Sequence, residues 1–426
     1  MRHYFALSIA ILLLHACSPT AHSPTRLHVD PDMSASEMNS LLQLHPEIAT
    51  QPEVKTAQVD LKEITDSGVR LYAWLKVVNQ NRPADRKISF TSKATQPAYS
   101  IENPRPYNAE TIKRDYRTRI AASPAALLTV LQDPSKTLPA NLPTTDDVFM
   151  AWGLQISSSY DLATRWIMFA GSLDQFKPNQ VNDVRGYYFL TRLPDRDQKL
   201  AGFATLEVSL QKNIREWLTY LCLNNQDGNN IDVDRCKTEV SVAESKNDLV
   251  TFYNSKITAA TEVYDHYFKL VTPWIRTDIT WTMTDPSVAR YPFLMPSSPS
   301  MQSYLKNNVE DEYKTATWHL QIDFVTTASP STSHLESVAG VTPHAIPKSS
   351  VIVIDDNQPI TEYASQWMIR HEFGHLLGFT DCYVEFYDES LKAMMYYQID
   401  TENIMCSRRG KFQPQHFERL KDAYLK

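Results

Sequence analysis

The sequence lacks an excess of basic residues. Its 49 aspartates and glutamates outnumber its 42 lysines and arginines, so the net charge at pH 7 is −7, and the pI is near 6.0. A nucleic-acid-binding protein concentrates positive charge on one face, and this composition gives no such footprint. Nucleic acid is therefore not an expected partner.

Glycine is also scarce, with 10 residues among 426. A glycine that follows a predicted helix is informative in such a chain, because glycine is the residue that takes a positive φ without strain. Hydrophobic residues make up 42% of the chain and charged residues 21%. Length and composition together predict two globular units plus a tail.

The chain starts with a short cationic stretch and an apolar run, residues 1–14, that is too short for a stable membrane span. This pattern predicts a signal peptide over residues 1–16. The residues Leu14-His15-Ala16-Cys17 resemble a bacterial lipobox, in which the cysteine carries the lipid. A lipidated Cys17 would anchor the exported protein to a membrane, and Ser18 favours the outer membrane by analogy with lipoprotein sorting. The alternative is plain secretion, with Cys17 lost or free.

Two segments follow the signal peptide. Residues 17–55 are rich in Pro, Ser and Thr, which predicts a flexible tether. Residues 56–235 form an N-terminal domain whose role the sequence does not indicate. Its local patterns favour strands at 69–78, 87–90, 187–190 and 203–210, the last two strand-like or mixed, and helices at 124–131 and 159–171.

A metal-binding pattern lies in the C-terminal half. His371 and His375 are four residues apart, so on a helix both imidazoles lie on one face and can bind one Zn²⁺. Gly378 can end that helix with a positive φ and bring Asp381 to the metal as a third ligand. Glu372 lies beside the metal without binding it, where a general base for a zinc-bound water is expected.

The pattern HExxHxxGxxD and the later Asn403-Ile404-Met405 resemble the metzincin zinc endopeptidases, in particular the snapalysin-like minority with Asp as third ligand. The resemblance implies zinc ligands His371, His375 and Asp381, catalytic Glu372, Met405 below the metal, and a protein or peptide substrate. It also implies an α+β fold for residues 236–426, with a twisted mixed sheet, the HExxH helix and a small C-terminal lobe.

The chain departs from this family at Ser407, where many members have a tyrosine that helps to stabilise the oxyanion. Other tyrosines between the third ligand and the methionine are unranked substitutes: Tyr383, Tyr387, Tyr396 and Tyr397.

Three alternatives stay open. A gluzincin-type site would take Glu385, Glu389 or Glu402 as third ligand, although Gly378 argues against that class. A non-catalytic surface lipoprotein would hold a structural zinc and bind a partner through its N-terminal domain. A zymogen would have its cleft blocked by residues 56–235 until cleavage.

Four cysteines remain once Cys17 is set aside, an even number that fits an oxidising compartment and allows three pairings. We favour a Cys222–Cys236 disulfide closing an acidic, amide-rich loop. That loop resembles a calcium loop only weakly, since Leu223 stands where an oxygen ligand is needed. The metzincin resemblance implies the second pair, Cys382 with Cys406, below the zinc. Neither Cys222 nor Cys236 lies in the sequence context that surrounds the inhibitory, zinc-binding cysteine of latent matrixins.

The C-terminal domain shows a regular succession of patterns. Apolar spacing predicts helices at 239–270, 300–313 and 414–424, and strands at 275–282, 317–325 and 349–355. His344 precedes the last strand, where the resemblance places an edge strand that flanks the substrate. On the HExxH helix, Ile369, Phe373 and Leu376 are expected in the core, with Trp367 and the two histidines facing the cleft.

Overall fold

The computed structural model describes residues 35–44, 46–83, 86–90, 99–329, 331–338, 343–356, 360–407 and 409–426. The predicted signal peptide and Cys17 lie outside these ranges. The described chain combines many helices with small mixed sheets, so the predicted α+β class is confirmed. Within these ranges, no helix has both the length and the hydropathy needed to cross a membrane.

The first part of the described chain is a helical layer around one long central helix. That helix, α7, buries Phe149, Trp152, Ile156 and Tyr160 at spacings of three and four residues. Helices α1, α3, α4 and α5 pack on it. The elements are α1 Ala35–Leu44, α2 Pro46–Ala49, α3 Pro52–Asp60, α4 Lys62–Asn79, β1 Arg105–Tyr107, α5 Ala109–Ala121, α6 Ala125–Leu131 and α7 Asp146–Phe169.

Three expectations for this region change. The strand predicted at 69–78 is wrong, because these residues belong to α4 and its buried Ile64, Leu71, Trp74 and Val78 follow helical spacing. No strand forms at 87–90 either. The predicted tether contains α1 to α3 from residue 35 onward, and α1 and α3 pack on the central helix.

A second helical group follows, and it continues across the predicted boundary between residues 235 and 236. Its elements are α8 Arg185–Arg192, α9 Arg196–Ala201, α10 Val208–Leu223, α11 Val233–Ser245 and α12 Leu249–His266. Short 3₁₀ turns lie at Leu173–Gln175, Lys177–Asn182, Phe203–Thr205 and Gly228–Asn230. The strand-like segments predicted at 187–190 and 203–210 are therefore wrong, since both are helical.

Two local features shape this group. The Cys222–Cys236 disulfide is confirmed and joins the end of α10 to the start of α11. The single helix predicted for 239–270 is interrupted at Asn247, which takes a positive φ of 53°. Asp248 N then donates to the carbonyl of Ala243, which closes the turn between α11 and α12.

The C-terminal part contains the mixed sheets. Strands β2 Thr280–Thr282 and β3 Asp285–Leu294 are antiparallel, and β3 runs parallel to β4 His319–Val325. Strand β5 His334–Val338 runs parallel to β7 Val351–Asp355, while β6 His344–Ile346 is antiparallel to β7 and is an edge strand of that sheet. A bridge between Phe293 and Ser333 joins the end of β3 to the start of β5.

Several C-terminal predictions are confirmed. Strands at 317–325 and 349–355 correspond to β4 and β7. The helix predicted at 300–313 is α13 Pro299–Leu305 followed by a π-helical turn, Lys306–Glu310, and only the end of the strand predicted at 275–282 forms, as β2. The closing helix is α15 Pro414–Tyr424, which buries Leu420 and Tyr424.

Helix α14, Tyr363–Leu376, carries the HExxH motif beneath the β5-β7-β6 sheet. Its buried Ile369, Phe373 and Leu376 share a core cluster with Ile352 and Ile354 of β7. A hairpin of β8 Tyr383–Asp388 and β9 Ala393–Gln398 follows, and the distant β1 adds a third strand to it, in the order β1-β9-β8.

Candidate metal centre

Gly378 ends the motif helix as predicted. It has a φ of +99°, in the left-handed region that glycine tolerates best. Gly378 N donates to the carbonyl of His375 and Phe379 N donates to that of Gly374, so the chain turns back sharply. Three residues beyond the glycine, Asp381 returns beneath the helix.

The turn brings the three predicted ligands together. The Oδ1 atom of Asp381 lies 3.0 Å from Nε2 of His371 and 3.4 Å from Nε2 of His375. Among the residues that the structure describes, these three form the one group of His, Cys, Asp and Glu side chains that converges closely enough for a metal ion. Glu385, Glu389 and Glu402 of the gluzincin alternative are not part of it.

Backbone carbonyls fix how the two imidazoles carry their protons. Nδ1 of His371 lies 2.9 Å from the carbonyl oxygen of Ile404, and Nδ1 of His375 lies 2.8 Å from that of Phe379. A carbonyl only accepts hydrogen bonds, so each Nδ1 is the donor. In a neutral ring, Nε2 then keeps its lone pair, which is the arrangement of a histidine that binds a metal.

These residues fit a zinc ion. Tetrahedral zinc with bonds of about 2.0–2.1 Å holds its ligand atoms about 3.3 Å apart, which lies between the two distances above. Oδ1 of Asp381 is buried, yet no donor is aligned with it for a hydrogen bond. Two imidazole lone pairs and a carboxylate oxygen facing one another repel unless a cation or a proton lies between them.

The charges of the metal-free chain agree with this picture. Burial alone would raise the pKa of Asp381, but the imidazoles of His375 and His371 outweigh burial and hold that pKa well below its usual range. Burial alone would lower the pKa of His375, but the Asp381 carboxylate overcomes burial and raises it. The carboxylate thus stays ionised and draws positive charge into the site.

The turn around Met405 supports the site from below. Asn403 holds it, because its Oδ1 accepts from Met405 N at 2.8 Å and its carbonyl accepts from Cys406 N at 3.0 Å. The Cys382–Cys406 disulfide, the second predicted pair, is confirmed. Together with the bond from Cys382 N to the carbonyl of Met405, it joins the Asp381 loop to this turn.

Gly374, between the two histidines, allows Met405 to approach the helix. A Cβ atom on this glycine would lie 2.4 Å from Sδ of Met405 and 2.8 Å from the hydroxyl of Tyr313. Tyr313 in turn donates to the carbonyl of Arg370 at 2.7 Å. The methionine and the tyrosine therefore pack directly on the helix surface that a larger residue would fill.

An indole ring lies beside each histidine. The ring of Trp367 lies 4.7 Å from that of His371, and its Nε1 donates to the carbonyl of Ser407 at 3.0 Å. The half-buried Trp274 meets His375 edge-on at 6.4 Å between ring centres. Glu372, the predicted base, is only 3% exposed, so its carboxylate lies in a largely water-excluded environment.

All four tyrosines considered as oxyanion helpers have other contacts, and the rings of Tyr383 and Tyr396 lie 6.0 Å apart. The Tyr397 hydroxyl donates to Asp183, just before α8, at 2.8 Å, and Tyr387 and Tyr396 pack against the cluster around α7. The carbonyls of Ile404 and Phe379 are site groups that the sequence did not reveal, since any residue supplies a carbonyl. Comparison with protein-family models, curated proteins and solved structures found no match to this chain.

Proposed function

We propose that the protein is a zinc-dependent endopeptidase with a metzincin-like catalytic domain. The observation that carries this proposal is the convergence of His371 Nε2, His375 Nε2 and Asp381 Oδ1 on one point. Both Nδ1 atoms are held by carbonyls, and a methionine turn lies below. Zinc held there would lower the pKa of a water to about 7 and polarise a substrate carbonyl.

The chain's own residues would carry the proton transfers. Glu372 follows His371 directly on the helix, and its carboxylate can take a proton from the attacking water and pass it to the leaving amine. Glu372 is only 3% exposed, so bulk water has little access to its carboxylate. Asp381 and the two histidines only hold the metal.

An open coordination position supports catalysis over a purely structural zinc. A structural site is closed by four protein ligands, whereas a catalytic site keeps one position for water or substrate. In the described part of the chain, no fourth His, Cys, Asp or Glu joins the group. The alternative of a non-catalytic lipoprotein with a structural zinc would need a fourth protein ligand, and the described residues supply none at this group.

The edge strand β6 supports a peptide as the substrate. It pairs with β7 on one side and packs against the motif helix α14, and among the described residues no strand pairs with its other edge. An extended peptide can add to such an edge through main-chain hydrogen bonds. We further propose, from the leader sequence, that a lipid on Cys17 anchors the enzyme to the bacterial outer membrane.

The Glu372→Gln variant tests this proposal. The substitution keeps size and removes the base, so the variant should bind one zinc ion like the unmodified protein but lose cleavage of casein or a peptide library. A chelator should abolish cleavage by the unmodified protein, and added zinc should restore it. Undiminished cleavage by Glu372→Gln would refute the assigned base, and a protein that binds no zinc would refute the proposal as a whole.

A further inference from the structure

The hairpin β8–β9 connects the third ligand to the methionine turn. Strand β8 starts two residues after Asp381, and β9 ends seven residues before Met405. Ile399 N donates to the carbonyl of Cys382 at 3.0 Å, which closes the base of the hairpin beside the metal ligands. Any displacement of the hairpin therefore reaches Asp381 through a short and stiff connection.

The N-terminal helical layer holds this hairpin by its outer edge. Strand β1 pairs with β9 along Arg105 to Tyr107, opposite Met394 to Tyr396. Met394 belongs to the same buried cluster as the residues of α7. A segment roughly 290 positions earlier in the chain thus supplies one strand of the sheet that leads into the site.

A buried ion pair fixes one face of the hairpin. Glu385 of β8 accepts from Nε of Arg165 at 2.9 Å and from Nη2 at 2.6 Å, and also from the Tyr107 hydroxyl at 3.0 Å. The side chains of Arg165 and Glu385 are 7% and 8% exposed. A bidentate contact in such surroundings fixes orientation as well as distance.

The other face is held as well. The Tyr397 hydroxyl of β9 donates to Asp183 at 2.8 Å and accepts from Val184 N at 3.0 Å, just before α8. Both faces and one edge of the hairpin therefore contact residues from the first half of the chain. If the first half of the chain were a prosegment that leaves on activation, its removal would break all of these contacts together and expose the hairpin residues that make them.

We infer that the Arg165–Glu385–Tyr107 cluster positions the metal site by holding the hairpin that directly follows Asp381. The helical layer is then a permanent part of the enzyme and not a removable prosegment. This inference rests on the proposed function, because it assumes that the three ligands bind zinc. Glu385 is a positioning residue, since it acts through the hairpin and does not touch the metal ligands in the described structure.

The test uses Glu385→Gln in the full chain, with Asp146→Asn as control. Asp146 pairs bidentately with Arg82 at the opposite end of α7, far along the helix from the hairpin. Zinc affinity is measured by chelator competition, and the ligand geometry by the visible spectrum of the cobalt-substituted protein. Glu385→Gln should weaken zinc binding by about tenfold, as loss of a supporting partner typically does, and alter the cobalt spectrum. Asp146→Asn should change neither.

Unchanged zinc affinity and cobalt spectrum in Glu385→Gln would overturn the inference while leaving the proposed function intact. Failure of the unmodified protein to bind zinc or cobalt would overturn the proposed function. If Glu385→Gln does not fold, Tyr107→Phe decides, since it removes one hydrogen bond and keeps the ring. A weaker zinc affinity in that variant supports the inference, and an unchanged one overturns it.

Discussion

Replacing Gly374 with alanine tests the packing beneath the metal site. In an exposed helix, the substitution would stabilise by about 1 kcal/mol, because alanine is the better helix former. Here the new Cβ would lie 2.4 Å from Sδ of Met405, 2.8 Å from the Tyr313 hydroxyl and 3.1 Å from Cε of Met405. Overpacking of this kind costs about 1–3 kcal/mol, so we expect net destabilisation of up to about 2 kcal/mol.

A double-mutant cycle separates the clash from other effects. Met405→Ala alone should cost about 2–5 kcal/mol through the cavity it leaves. In the double variant the added methyl group enters that cavity. The loss of unfolding free energy in the double variant should therefore be smaller, by at least about 1 kcal/mol, than the sum of the losses in the two single variants. Urea unfolding followed by tryptophan fluorescence gives the three values. A stabilised Gly374→Ala variant, or strictly additive effects, would refute the proposed close packing of Met405 on the helix.

Two further predictions concern buried groups near the site. Replacing both Cys382 and Cys406 with serine should lower stability by about 3 kcal/mol and weaken zinc binding, because the Asp381 loop is no longer tied to the methionine turn; urea unfolding and chelator competition measure both. Burial lowers the pKa of His416 to about 4, so the folded chain binds this proton less readily than the unfolded chain. The free energy of unfolding should therefore have its full value above pH 6.5 and fall by up to roughly 3 kcal/mol towards pH 4. The His416→Leu variant should show a smaller loss in the same unfolding assay.

Much of the candidate site could be predicted because its signals are local. The four-residue spacing of His371 and His375 follows from helix geometry, and Gly378 marks a turn that only a positive φ permits. The short reach from that turn to Asp381 leaves little conformational freedom. The Cys222–Cys236 pair could be predicted from the loop it closes, and the Cys382–Cys406 pair from the metzincin resemblance.

The helical layer was harder to predict. Around α4, the β-branched and aromatic residues Val69, Tyr72 and Val77 suggested a strand, whereas the residues that are buried follow a spacing of three and four. Packing of α4 against α7 selects the helix over the strand. A short stretch of sequence carries no information about that packing. The pairing of β1 with β9 and the pair of Arg165 with Glu385 join positions hundreds of residues apart, so no local pattern reveals them.

The most direct test of the account is a crystal structure of the zinc-loaded protein with anomalous data at the zinc edge. We expect one anomalous peak about 2.0–2.2 Å from Nε2 of His371, Nε2 of His375 and Oδ1 of Asp381, with a fourth position taken by water. A peak that excludes Asp381, or a fourth protein ligand that closes the site, would contradict it.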